Sequence, residues 1–219
     1  MNSSKTRNVL LVVLVCLATG MLASAGPAPV PGNSNAFGRS PGEWLIAYWS
    51  WFYAGTPLPT DAYGNTVDGK VVFLPIPQTP GDGTPGHLNV TLSSGEAFVL
   101  PVEGVIGFEY ADGSFDPPED INLFKTLDVT VKVDGVVVIN GQNVMAYYSE
   151  ADWDPPLEIP EWGISFAFQQ GIGMVHQPLS VGKHVITLDV SNTQEFSPAY
   201  GGGFIEYHNS WNITVKPGK

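Results

Sequence analysis

Between positions 127 and 133 apolar and polar residues alternate without a break, and no other feature of the chain restricts its fold more. Leu127, Val129, Val131 and Val133 fall on one face of an extended segment, and Asp128, Thr130 and Lys132 on the other, because successive side chains of a strand point to opposite sides. Such a segment buries one face and leaves the other wet, as one layer of a sandwich does. The end of the chain repeats the pattern, with Trp211, Ile213 and Val215 set against Asn212, Thr214 and Lys216. Asp134-Gly135 directly follows the first run. That dipeptide tolerates the positive φ of a type I′ turn, so a hairpin into the apolar residues after it is expected.

Further short runs are punctuated by Gly, Pro, Asn and Asp. Strands are predicted at 70–76, 88–92, 97–102, 104–110, 127–133, 136–140, 144–148, 164–169, 184–190 and 204–215. Only one helix is predicted, over 40–53. Ser40 is its N-cap, Pro41 its first residue, and Glu43 completes a capping box. Trp44, Leu45, Ile46, Trp49, Trp51 and Phe52 make it apolar nearly all round, which requires burial. The fold class expected is mainly β: an antiparallel β-sandwich of jelly-roll type with one short N-terminal Trp-rich helix.

The first 25 residues read as a signal peptide. Lys5 and Arg7 give a positive start, 9–18 is apolar, and Ala23-Ser24-Ala25 is a small-residue cleavage site. An apolar run of about ten residues falls well short of the ~20 that cross a bilayer, so no stable membrane span is expected after cleavage. Residues 26–37 are expected to form a flexible lead-in and 38–219 a single domain. Cleavage would remove Lys5, Arg7 and Cys16, leaving seven basic residues against 21 acidic ones, a net charge of −14. Such a chain offers phosphate backbones no basic patch, so nucleic acid is excluded as a partner. Without Cys16 there is no thiol, and with it go disulfides, thiolate catalysis and cysteine metal sites. The expected location is outside the cytoplasm, in the periplasm or beyond the cell.

Several segments together resemble a family of uncharacterised secreted bacterial proteins that pair an N-terminal Gly-x-x-x-x-Glu-Trp helix, rich in tryptophan, with a C-terminal β domain. The matching pieces are 38–51, Val71-Val72-Phe73-Leu74-Pro75, Ser94-Gly95-Glu96-Ala97-Phe98-Val99-Leu100-Pro101, Val133-Asp134-Gly135 and Pro178-Leu179-Ser180-Val181-Gly182-Lys183-His184. The resemblance implies an exported β fold and carries no activity with it. Relatives often have cysteines in the early loops, and this chain has none there.

Two acidic loops are the most suggestive chemistry. Asp112 to Asp120 and Glu150 to Glu158 share an aromatic-Asp-Pro-Pro core. Alternate carboxylates converge on calcium when a chain curls, so Glu150, Asp152 and Asp154 are candidate ligands, with Glu158 or Glu161 closing the shell. Pro117 and Pro155 exclude an EF-hand, whose sharp turn needs glycine. Acids beside exposed aromatics also hold sugars, by ring stacking and hydroxyl hydrogen bonds, which makes Trp153, Trp162 and Tyr147 candidate ligand-binding residues. His87, His176, His184 and His208 lack metal-ligand spacing. Gly38-Arg39-Ser40-Pro41-Gly42 fits a serine-hydrolase elbow but lacks the strand that must precede it. The expected role is that of an exported non-enzymatic binding or envelope-associated protein whose ligand the sequence does not name, with a glycan or an envelope component as the candidate partner. The alternative is a secreted carbohydrate-active enzyme that uses carboxylates of the two acidic loops.

Overall fold

The computed structural model describes residues 28–31, 34–77 and 84–218; the expected signal peptide lies outside them. Helix α1 (Pro41–Ala54) starts as its sequence requires. The Ser40 side chain accepts from Glu43 N at 3.3 Å, and Glu43 Oε2 accepts from Ser40 N at 2.6 Å. Gly55, at φ 61°, ends the helix in the left-handed conformation. Ten strands follow: β1 (Val67–Asp68), β2 (Val71–Phe73), β3 (Gly86–Ser93), β4 (Ala97–Tyr110), β5 (Leu127–Val133), β6 (Val136–Asn140), β7 (Tyr148–Ile159), β8 (Ile164–His176), β9 (Gly182–Asn192) and β10 (Glu206–Lys216). A five-residue helix, α2 (Ile121–Lys125), precedes β5.

The strands form two five-stranded sheets, ordered β1-β2-β4-β8-β7 and β3-β10-β9-β5-β6. Pairing is antiparallel except between β2 and β4 and between β3 and β10, which run parallel. The sheets pack face to face as a β-sandwich. Phe98, Leu100, Ile172 and Met174 of the first meet Val129, Val131, Ile186, Leu188 and Trp211 of the second in one buried core. On its outer side the first sheet is covered by α1, where Trp44, Leu45 and Tyr48 bury Val71, Phe73, Ala97, Val99 and Val175.

This asymmetry accounts for the two kinds of strand in the sequence. The second sheet has one wet face, so β5 alternates buried and accessible residues as expected. The first sheet is covered on both faces, and Ala97 to Val102 are accordingly all buried in one unbroken run. Close approach of α1 depends on missing side chains beneath it. A Cβ at Gly173 would come within 2.5 Å of Leu45 Cδ2. The hairpin turn is also as expected, with Asp134 at φ 52° and Gly135 at φ 78°.

Several elements differ from the sequence reading, among them α2 and β1, where no helix or strand is predicted. The strands expected at 97–102 and 104–110 are one strand, β4, bent by a register shift between Pro101 and Glu103. Residues 144–147 form a 3₁₀ turn (Val144–Tyr147) instead of a strand. The second acidic segment is not a loop but the edge strand β7, which skips register between Asp152 and Leu157. Prolines cannot donate to a ladder, and an irregular edge is where a sheet tolerates them. The lead-in expected to be flexible is held where it is described: Val30 N donates to Val175 O at 2.8 Å, and Ala36 is buried.

Candidate aromatic groove

Of β4, only residues 97–99 pair with β2. Beyond the bulge no described strand lies beside β4 on that side. Asp116 finally closes the edge, accepting from Phe108 N at 3.1 Å and donating its own N–H to Phe108 O at 3.0 Å. The gap is bounded on one side by the C-terminal half of α1. Trp49 and Tyr53, four residues apart and therefore on one helix face, stack at 5.6 Å between centroids. On the other side stands the segment before β10. Asn192 pins it by donating to Gln194 O and accepting from Ile205 N, both at 2.7 Å. Gly201, Gly202 and Gly203 all adopt positive φ in its turn.

These walls enclose two adjoining hollows. One, of about 450 Å³, is lined by Trp49, Tyr53, Phe108, Trp162, Phe166 and Tyr200 among others. The second, of about 360 Å³, runs toward Val102, Tyr207 and Trp211. Trp49, Tyr53, Glu103 and Gly104 line both, so the hollows form one groove passing over Glu103. Trp162 rises from the β7–β8 turn, 53 % exposed, with its ring 5.8 Å from Tyr53 and 6.1 Å from Phe166.

Glu103 is the one carboxylate on these walls among the described residues. The bulge turns it into apolar surroundings, where Oε1 accepts from Gly104 N and Oε2 lies 3.0 Å from the Tyr207 hydroxyl. Desolvation pushes its pKa up to about 7, against the pull of those two hydrogen bonds. Burial likewise raises the Tyr53 and Tyr207 phenols, and the nearby Glu103 charge pushes each further up.

Of the three aromatics expected to bind ligand, only Trp162 lines the groove. Trp153 is a core residue, 7 % exposed, packed on Phe166 and donating Nε1–H to Ser50 Oγ at 2.9 Å. Tyr147 is buried between the sheets. Both therefore do structural work, because a large ring on a covered face is buried first. Trp49, Tyr53, Tyr200 and Glu103 were missed by the sequence reading.

The carboxylates expected to hold calcium do not converge. Glu150, Asp152 and Asp154 are spread along β7 and exposed, and Glu158 and Glu161 are exposed further on. An extended strand spaces same-face residues nearly 7 Å apart, too far for one shell of oxygens 2.3–2.6 Å from an ion. Among the described residues no three His, Cys, Asp or Glu could hold a metal ion together. In the first acidic segment Asp112 accepts from Ser114, Asp116 closes the β4 edge, and Asp120 caps α2. Ser40 is fully engaged as a helix cap.

The two acidic segments do lie side by side. Gly113 of the first and Pro155, Pro156 and Glu158 of the second line an open hollow of about 560 Å³ together with Glu109. Glu109 and Glu158 both stand opposite Ser165, one on each side of β8.

No family model matches the chain, and no curated protein does. A solved structure, the CooA pilin subunit from enterotoxigenic Escherichia coli, is similar at 14 % identity over 64 % of this chain and 96 % of that one, with a TM-score of 0.21. A likeness that slight bears on neither fold nor function.

Proposed function

We propose that this is an exported, non-enzymatic β-sandwich protein that holds its ligand in the aromatic groove between α1, β4 and the segment before β10. The observation that carries this reading is the cluster of Trp49, Tyr53, Trp162 and Tyr200 around a gap in the sheet edge. Binding sites are concave and mostly apolar, with a few polar groups that fix orientation. The groove has that composition, with Glu103 and Tyr207 as its polar groups. Export is supported by the leader sequence and by the resemblance to secreted proteins. Among the described residues no helix is long and apolar enough to cross a membrane.

A second reading, a carbohydrate-active enzyme, draws support from Glu109 and Glu158 sharing one hollow. Glycoside hydrolysis needs one carboxylic acid kept protonated by apolar surroundings beside a second that stays ionised. Glu109 is only half-buried and Glu158 exposed, in an open hollow, so neither has the enclosed apolar surroundings the acid of such a pair requires. Glu103 has the apolar surroundings but, among the described residues, no carboxylate partner on the groove walls. Binding without turnover is therefore the better reading.

Trp162 is mostly exposed and touches the core only through the Tyr53 and Phe166 rings. Trp162→Ala is expected to weaken binding of soluble envelope glycans about tenfold or more while leaving the melting temperature within about 1–2 °C of the parent. Equal affinity of variant and parent, measured by calorimetry, would remove the groove as the site.

A further inference from the structure

We infer that the groove takes a linear, uncharged oligosaccharide laid across Glu103, with sugar rings on either side of that residue; this rests on the groove being the binding site. Its shape is the first reason. Two hollows joined over Glu103 and Gly104, with the Trp49–Tyr53 pair common to both, suit a chain of repeated units better than one compact molecule. The walls are the second. Flat faces of Trp49, Tyr53, Trp162 and Tyr200 can cover the C–H faces of sugar rings, and tyrosine and tryptophan each keep a polar edge for hydroxyls. Charge is the third. Among the described residues no Lys, Arg or His lines either hollow, so an anionic ligand would find no partner there for its charge.

The polar floor of the groove supplies the fourth reason. The Tyr207 hydroxyl lies against both Val102 O and Glu103 Oε2, and Glu103 Oε1 accepts from Gly104 N. Oε1 retains a second lone pair for a ligand hydroxyl. Around it the titratable groups on the groove walls are Tyr53 of α1, Tyr207 of β10 and Tyr200 of the segment before β10, all neutral at physiological pH. A quaternary ammonium ion would also suit aromatic walls, but it needs the carboxylate ionised. An uncharged ligand covers Glu103 best while it is neutral, so the two ligand classes differ in the sign of their pH dependence.

The test titrates the folded protein by tryptophan fluorescence and calorimetry at about pH 5.5 and about pH 8.5, on either side of the Glu103 transition. The probes are cello- and xylo-oligosaccharides of one to four units, choline chloride and inorganic phosphate. Affinity is expected to rise about tenfold from the single sugar to four units and to fall severalfold at the higher pH. Glu103→Gln, which copies the protonated carboxyl group, is expected to bind at both pH values as the parent does at the lower one. Glu103→Ala is expected to lose about tenfold at both. Choline binding that strengthens at the higher pH and disappears in Glu103→Gln would overturn the oligosaccharide and leave the groove as the site. Response to no oligosaccharide would also overturn it. Oligosaccharide binding untouched by Trp162→Ala would overturn both the ligand and the groove.

Discussion

Tyr48→Ala is expected to destabilise the protein by about 3–5 kcal/mol, the cost of removing a large buried ring and leaving a cavity. Tyr48 is fully buried at the centre of the α1 contact, its ring 5.5 Å from Phe73 and 5.3 Å from Trp51, and its hydroxyl donates to Leu74 O at 2.6 Å. Tyr48→Phe isolates the hydrogen bond. It keeps the ring but strips the buried Leu74 carbonyl of its hydroxyl donor, which is expected to cost about 1–3 kcal/mol. The order Ala > Phe > parent in urea midpoints would show that α1 is anchored to the sheet by packing first and by this bond second. Because α1 carries Trp49 and Tyr53, loosening it should also blur the groove. A Tyr48→Ala protein as stable as the parent would mean that the helix does not cover the sheet in solution.

Glu103→Gln is expected to stabilise the protein at high pH and to do nothing at low pH. The folded carboxyl group titrates near 7 instead of the ordinary 4.5. Between those values the folded state binds more protons than the unfolded one, so stability falls as pH rises through that window and levels off above it. The charged carboxylate thus costs folding energy at neutral and alkaline pH, about 1–2 kcal/mol once partial contact with solvent is discounted. Glutamine supplies the same hydrogen bonds without the titration. The variant should melt about 2–8 °C above the parent at pH 8 and level with it at pH 4. A parent whose stability relative to the variant instead grew with pH would place Glu103 beside an unrecognised cation, and no difference at either pH would place it in water.

The parts of the fold legible in the sequence are those with local causes. Ser40, Pro41 and Glu43 start α1 through contacts within three residues, and Asp134-Gly135 closes its hairpin through backbone conformation alone. Alternation in β5 was readable because only one of its faces is covered. β7 was not: Pro155 and Pro156 read as loop residues, and only the edge position of the strand, a matter of topology, makes room for them. The groove escaped for a related reason. Its residues come from α1, the β4 bulge, the β7–β8 turn and the segment before β10, and no spacing along the chain brings them together. One signal was present: Glu103 stands alone among apolar neighbours from Phe98 to Phe108. A carboxyl group inside such a run is either turned outward by a bulge or held neutral, and here it is both. The carboxylates expected to hold calcium lie apart because alternate carboxylates converge only if the chain curls, and β7 keeps the chain extended.

The claim that the ligand sits in the aromatic groove is tested most directly by the indole N–H resonances of the six tryptophans in a ¹H–¹⁵N spectrum during titration with an envelope-glycan digest. Trp49 and Trp162 line the groove. Trp44, bonded through Nε1 to Ala36 O and packed on Phe73 away from the groove, serves as the internal control. The account predicts that the Trp49 and Trp162 peaks shift and saturate together while that of Trp44 stays in place. Saturable binding with Trp49 and Trp162 unmoved would contradict it.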